Sequence, residues 1–346
     1  MRSFTFNSET AEVTGTAPWA LVCIIFRNSW LIFVISGLFI AAGEIWSRIE
    51  EPDMSNTSIE RIIVSEQLER AGTITDADII MTGDSSALMG LDVVMLGELI
   101  GGRRVESLAT IGYVGPDAYG RILEIFTSHA GYTPVVIILM HGESLNLSEE
   151  KLNLIPLEEK DVKRLPFGHE ARRKLFEDVI GRVVSIPLPG AYGRHYGWPE
   201  DFRKALRSQG GTLTDPNKLD ANSSKRDYEF TLTGPVEERM ARLGEILERL
   251  NPCHVYFGIT PLHESSKSGI TLTSRAAVLR RCAYLLRLND RNILGLPVSM
   301  PDRYFSTFTH LNYEGQKVYT SRVARTLIEL SREGEGEVKR CLSENR

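Results

Sequence analysis

Apolar and polar positions alternate in blocks along most of the chain. Five short apolar runs have strand length: Ile79 to Thr82, Val105 to Ala109, Pro134 to Met140, His254 to Thr260 and Ile293 to Val298. The third, "PVVIILM", is continuous and rich in β-branched residues, as suits a strand buried on both faces. Pro297 weakens the fifth, because proline cannot donate to a ladder. Between these runs, apolar residues recur at helical spacing over Leu88 to Leu99, Asp117 to Ala130, Pro235 to Leu250, Ser274 to Leu288 and Gly315 to Arg332. The alternation predicts an α/β fold with a mostly parallel sheet and helices on both faces, a three-layer α/β/α sandwich.

Two stretches break the rhythm. "WALVCIIF" (Trp19 to Phe26) and "SWLIFVISGLFIAAGEIW" (Ser29 to Trp46) form a long apolar block, and the second alone approaches the ~20 residues that span a bilayer. Trp30 and Trp46 stand where interfacial aromatics belong. The pattern predicts a cytoplasmic or interfacial segment over 1–28, a transmembrane anchor over 29–47 and a polar linker containing Pro52 over 48–60. A cleaved signal peptide, with "AAG" at Ala41 to Gly43 as its cleavage site, is the competing reading, and a buried core helix is a third. Glu9 and Glu12 suit a signal peptide poorly. Flanking Lys and Arg are nearly balanced, so charge does not orient the anchor. The α/β domain then occupies 61–346. Its interval from about 146 to 230 is irregular and rich in Gly, Pro and charge. A structureless loop of that length is not expected inside a compact domain, so the interval reads as an inserted cap. Short helices are expected there, over His169 to Val179 and Pro199 to Ser208.

Composition narrows the function classes. The chain has 346 residues and a formal net charge of -5, which argues against a nucleic-acid partner. Its four cysteines show neither a paired motif nor a metal spacing, and they read as buried free thiols. No histidine pair has zinc-ligand spacing, so no metal and no cofactor is expected.

The chemistry-bearing residues lie at two places. After the first apolar run comes Gly83-Asp84-Ser85-Ser86, where glycine permits a tight exit and a serine stands at the mouth of a helix. A serine hydroxyl attacks only when a base takes its proton, and the oxyanion that forms needs fixed donors. Near the other end, "FTHLNYEGQKVYT" places His310 just before a helix. By themselves, Asp84 or Ser85 could be a helix cap and His310 a histidine that satisfies a helix start.

Together, "TGDSSALMGLD" and "THLNYEG", in this order and at this separation, resemble the first and last blocks of the SGNH/GDSL hydrolase superfamily. The resemblance covers two short stretches, and the strand–helix rhythm between them fits that family's sandwich. It implies Ser85 as nucleophile and first oxyanion donor, with His310 as base. It also implies a glycine donor after the second strand, Gly112 with Gly115 behind it, and an asparagine after the third. Residue 144, where the family has asparagine, is Ser144, and Asn146 stands two residues on. The family's aspartate three residues before the histidine is replaced by Thr307. Either Asp302 loops back to orient His310, or the site is a dyad oriented by a hydroxyl or a carbonyl. Asp84, His141 and Ser144 are candidate pocket residues, with a turn or cap role as the alternative for Asp84 and a strand-end role for His141.

Membrane-anchored members of the family with a diverged domain act on envelope or exported polysaccharides, adding or removing acetyl groups. The resemblance therefore implies a single-pass membrane protein with an extracytoplasmic domain. Its partners would be an acylated or acceptor polysaccharide, membrane lipid and a polytopic membrane-bound O-acyltransferase. The alternative is a catalytically inactive module that binds polysaccharide or a membrane synthase or acyltransferase.

Overall fold

The computed structural model describes residues 59–152, 199–218, 230–269 and 272–333. The expected anchor over 29–47, the segments flanking it up to residue 58 and the cap helix over His169 to Val179 lie outside the described residues. Among the described residues no helix is long and apolar enough to cross a membrane.

Four parallel strands form the main sheet: β1 (Ile79–Gly83), β2 (Val105–Ser107), β3 (Val135–Met140) and β4 (His254–Ile259), in the order β2-β1-β3-β4. Ile79 lies opposite Val105 and Val135, and Gly83 opposite Leu139. Every residue of β1 and β3 is buried, so both faces of the sheet are covered. The described helices are α1 (Ile59–Ala71), α2 (Ser85–Gly90), α3 (Val93–Leu99), α4 (Pro116–Ala130), α5 (Glu149–Leu152), α6 (Pro199–Ser208), α7 (Gly234–Leu250), α8 (Leu272–Leu285) and α9 (Tyr313–Glu333). One group packs α4 against α1 and α7, and α7 against α8; the other packs α9 against α2 and α3. This is an α/β fold compatible with a sandwich.

Several expectations change in detail. The run Ile293 to Val298 is no strand: Ile293 makes one parallel bridge to Phe257. Leu296 N–H then turns back to the Leu294 carbonyl, and Pro297 has no N–H to offer, so pairing stops. Further on, β5 (Leu262–His263) and β6 (Ser299–Met300) form a separate parallel pair. The helix expected over Leu88 to Leu99 is two helices, because Leu91 is extended and the Asp92 carboxylate caps α3 by accepting from Met95 N–H at 2.9 Å. Cys282 is a buried free thiol, whereas Cys253 is disulfide-bonded, which corrects the expectation of four free thiols.

Part of the interval expected as a cap is built into the domain. Gly210 carbonyl accepts from Ser107 N–H at 2.8 Å, beside β2. Leu213 N–H donates to Leu88 carbonyl at 3.0 Å, and both Leu206 and Leu213 are buried in the core. The chain from α6 to Asn217 therefore lies against α2 and the sheet edge, close to where Ser85 is held.

Candidate active site

Ser85 is positioned by the turn that precedes it. Gly83 leaves β1 with φ +142, and a Cβ there would overlap the carbonyl oxygen of Leu139 on the neighbouring strand. Asp84 is buried and caps α2. Its Oδ1 accepts from Ser86 N–H at 2.9 Å and from Ser86 Oγ at 2.5 Å, while its Oδ2 accepts from His141 N–H at 2.7 Å. This carboxylate thus ties the end of β1 to the end of β3. It lies beneath the site, which corrects its expected place among substrate contacts. Ser86 is buried and also pairs with Thr260 Oγ1 at 2.9 Å. Ser85 alone of the two serines is partly exposed.

The histidine arrives on a closed loop. After β6 the chain makes a short turn over Asp302–Tyr304, and Phe305 then bridges antiparallel to Leu311. His310 carbonyl accepts from Ser306 N–H at 3.0 Å, and its own N–H donates to Thr307 Oγ1 at 3.1 Å. Asn312 Nδ2 donates to the carbonyls of Arg303, at 2.8 Å, and Phe305, at 3.3 Å. Its Oδ1 accepts from Gly315 N–H at 3.0 Å, capping α9. A Cβ on Gly315 would overlap the Tyr304 carbonyl oxygen. The spacing in "HLNYEG" therefore has a mechanical cause: asparagine closes the loop, and glycine lets the helix start against it. The outcome is His310 Nε2 at 2.9 Å from Ser85 Oγ.

Burial lowers the pKa of His310 to about 4, with the charges of Asp84 and then Asp215 opposing the fall. Near neutral pH the ring is uncharged, and in the tautomer that carries its proton on Nδ1 the Nε2 accepts a hydrogen bond from the Ser85 hydroxyl. His141 is fully enclosed, and burial lowers its pKa to about 4 against the raising effect of Asp84, with His310 and His263 lowering it further. Its Nδ1 accepts from Glu143 N–H at 3.1 Å, a bond available only to the neutral ring.

These histidines carry a stability prediction. The unfolded chain binds their protons near pH 6.5, before the folded chain does. The stabilisation is complete above that pH and is lost as pH falls through the folded value of about 4. Denaturant unfolding should show a loss of about 3 kcal/mol from His141 alone over that window. His141→Asn, whose side chain can still accept from Glu143 N–H, should flatten this part of the profile; an unchanged slope would contradict the assignment.

The remaining expected site residues divide. Ser144 lies against Gly112, where a Cβ would come within 2.6 Å of the Ser144 hydroxyl oxygen. Thr110 N–H donates to Gly83 carbonyl at 2.9 Å, which brings the loop after β2 beside the Ser85 turn. Gly112 and Ser144 therefore meet at the carboxyl edge of the sheet, where ligands of open α/β sheets bind. Asn146 is exposed at the end of its turn, and Ser144 takes the position against Gly112. Asp302 does not loop back to His310. Its Oδ1 accepts from Ser265 N–H at 3.1 Å and lies 3.7 Å from His263 Nδ1, and its Oδ2 accepts from Ser265 Oγ at 2.6 Å. It clamps the His310 loop to the segment after β5, so the expected direct role in orienting His310 is corrected.

Sequence reasoning missed Asp215, Thr260 and His263. Asp215 stands in "LTDPN", which signals a turn, and nothing local connects that turn to His310. Among the described residues no group of three His, Cys, Asp or Glu side chains is arranged to hold a metal ion. Comparison with known proteins brings no match, whether to a family model, a curated protein or a solved structure.

Proposed function

We propose that the chain is a membrane-anchored serine acyl-ester enzyme of SGNH type, with its α/β domain outside the cytoplasm. Its reaction is acetyl transfer to, or acetyl removal from, an envelope or exported polysaccharide. One observation carries the reading: the 2.9 Å contact between Ser85 Oγ and His310 Nε2 at the carboxyl edge of a parallel sheet. The Gly112–Ser144 contact beside it offers a backbone N–H and a hydroxyl for the oxyanion.

In the first half-reaction Ser85 Oγ attacks the acyl carbonyl carbon while Nε2 takes the hydroxyl proton. The tetrahedral oxyanion then collapses, the ester C–O bond breaks, and Nε2 returns the proton to the leaving sugar oxygen. The acyl-serine is released in the second half by water or by another sugar hydroxyl, whose proton passes to Nε2 and then to Ser85 Oγ. Hydrolysis and transfer differ only in that acceptor. A polytopic O-acyltransferase in the same membrane is the proposed acyl source for transfer, and membrane lipid surrounds the anchor.

A fluorophosphonate probe reads the nucleophile without knowledge of the sugar. Full-length protein should gain one covalent adduct on Ser85, located by peptide mass spectrometry. His310→Gln should slow labelling ~100-fold or more, the usual scale of general-base assistance. Labelling elsewhere, or none, would reject the catalytic reading. It would favour a polysaccharide-binding or synthase-binding module, the reading to which Thr307 points by bonding the His310 backbone instead of its ring.

A further inference from the structure

A second cluster of serine, histidine and aspartate lies at the root of the His310 loop. His263, on β5, is fully buried. It stands opposite Met300 of β6, so the loop that leads to His310 departs from beside it. Residues of that loop then return to the His263 ring. Phe305 meets it edge-on with 5.8 Å between ring centroids, Phe308 lies at 5.9 Å, and Asp302 Oδ1 is 3.7 Å from Nδ1. Phe308 stands two residues before His310, and Phe305 bridges to Leu311 just after it. The His263 ring is therefore packed against the loop on both sides of its bend.

The polar contacts of the cluster have a direction. Burial lowers the pKa of His263 against the raising effect of Asp302, so the ring is neutral near pH 7. The Ser265 hydroxyl donates to Asp302 Oδ2 at 2.6 Å, which leaves its oxygen to accept from His263 Nδ1 at 2.9 Å. The ring proton is thereby placed on Nδ1, and the Ser266 hydroxyl, which touches both ring nitrogens, donates to Nε2. The sequence of bonds from His263 through Ser265 ends on a carboxylate, and a charged acceptor strengthens the bonds that lead to it. Asp302 Oδ1 also accepts from Ser265 N–H at 3.1 Å, so both carboxylate oxygens grip one residue.

We propose that His263 and Asp302 are positioning residues of the site, joined through Ser265 into a latch that seats the loop carrying His310 at its distance from Ser85. The proposal rests on Ser85 and His310 acting as nucleophile and base. Asp302 acts along the chain: its oxygens are engaged by Ser265, so the carboxylate steadies the loop and takes no part in the proton transfer. The loop is closed on itself between the latch and the ring. Thr307 Oγ1 accepts from His310 N–H, and Phe305 bridges to Leu311. Such a loop moves as one piece, so release at its root displaces His310 at its tip. The Nε2–Oγ distance of 2.9 Å suits proton transfer, and a displacement of about 1 Å is enough to cost on the order of 100-fold in rate.

The test compares two changes at one residue in the full-length protein. Asp302→Ala should slow both fluorophosphonate labelling and turnover of a small acetyl ester by about 10- to 100-fold, with KM little changed. Asp302→Asn should recover most of that loss, because its amide oxygen can accept from Ser265 N–H and its amino group can donate to Ser265 Oγ. An amide does not replace a carboxylate that acts on the histidine ring. Unchanged rates in Asp302→Ala, or Asn as slow as Ala, overturn the proposal. Ser265→Ala cuts the latch from its other side and serves where Asp302→Ala impairs folding. The double variant should be no slower than the slower single one, and losses that multiply would mean that the two side chains act separately. NMR of histidine-labelled protein reads the seat without turnover: the His310 ring signal should shift in Asp302→Ala and return in Asp302→Asn. Absence of labelling in the unaltered protein would count against the Ser85–His310 reading, and the ring signal would still decide the latch, since one that stays in place in Asp302→Ala overturns it.

Discussion

Ser85→Ala is expected to lower turnover of a small acetyl ester by on the order of 10⁴-fold or more, to near the background of the solution reaction. The Oγ removed is the atom that would form the acyl bond, and His310 cannot activate a methyl group. Water held by the same histidine would be the only substitute nucleophile. The neighbouring hydroxyl gives a sharp control. Ser86 donates to Asp84 Oδ1 at 2.5 Å and sits against Thr260, buried below the turn. Ser86→Ala should keep most of the turnover and instead cost about 1–2 kcal/mol, the usual cost of leaving a buried acceptor one bond short. Ser85→Ala should leave stability within about 0.5 kcal/mol, because a partly exposed hydroxyl contributes little. Steady-state hydrolysis and denaturant unfolding of both variants separate the two roles. Equal turnover by Ser85→Ala and the unaltered protein would show that another residue attacks.

The parts of this molecule that the sequence shows are those whose cause is local. β1, β3 and β4 are visible because sandwiched strands must be apolar throughout, and "PVVIILM" has no other way to be buried. Gly83 and Gly315 stand out because each occupies a place where any side chain would meet a carbonyl oxygen. The α1 helix does not stand out. Its packed face carries Gln67, which donates to the carbonyls of Ala109 and Gly211 at 2.8 and 2.9 Å, and Arg70, which pairs with Glu106 at 2.7 Å. These polar side chains interrupt the face that Ile62, Ile63, Val64 and Ala71 bury in the core, so its apolar pattern is broken. Asp215 is hidden for a different reason. Its tie to the His310 region is a backbone bond from Tyr313, ninety-odd residues away, and such a bond leaves no mark on residue type. Asp302 misleads in the opposite sense: it is close to His310 in sequence, yet its carboxylate faces Ser265 because β6 pairs with β5 and carries the turn there.

Gly83→Ala should be the most damaging single-methyl change in the domain, costing about 3 kcal/mol or more and disabling the site even in molecules that remain folded. Two costs add. The backbone sits at φ +142, a region that a residue with a Cβ rarely adopts, at roughly 1–2 kcal/mol. The new methyl would also overlap the Leu139 carbonyl and press on Ala87 Cβ at 3.2 Å, so β1 and β3 would have to separate where they are paired. That opening would pull on Asp84, whose N–H reaches the same carbonyl at 3.4 Å and whose Oδ2 holds His141 N–H. Ser85 would move with Asp84, and a shift of about 1 Å is enough to cost on the order of 100-fold in rate. Gly131→Ala isolates the conformational share. Gly131 ends α4 at φ +75 with open space around it, so that variant should lose only about 1 kcal/mol and keep its reactivity. Unfolding by denaturant, paired with the rate of fluorophosphonate labelling, checks both variants. Losses of similar size at residues 83 and 131 would mean that contact with Leu139 is not what fixes the serine turn.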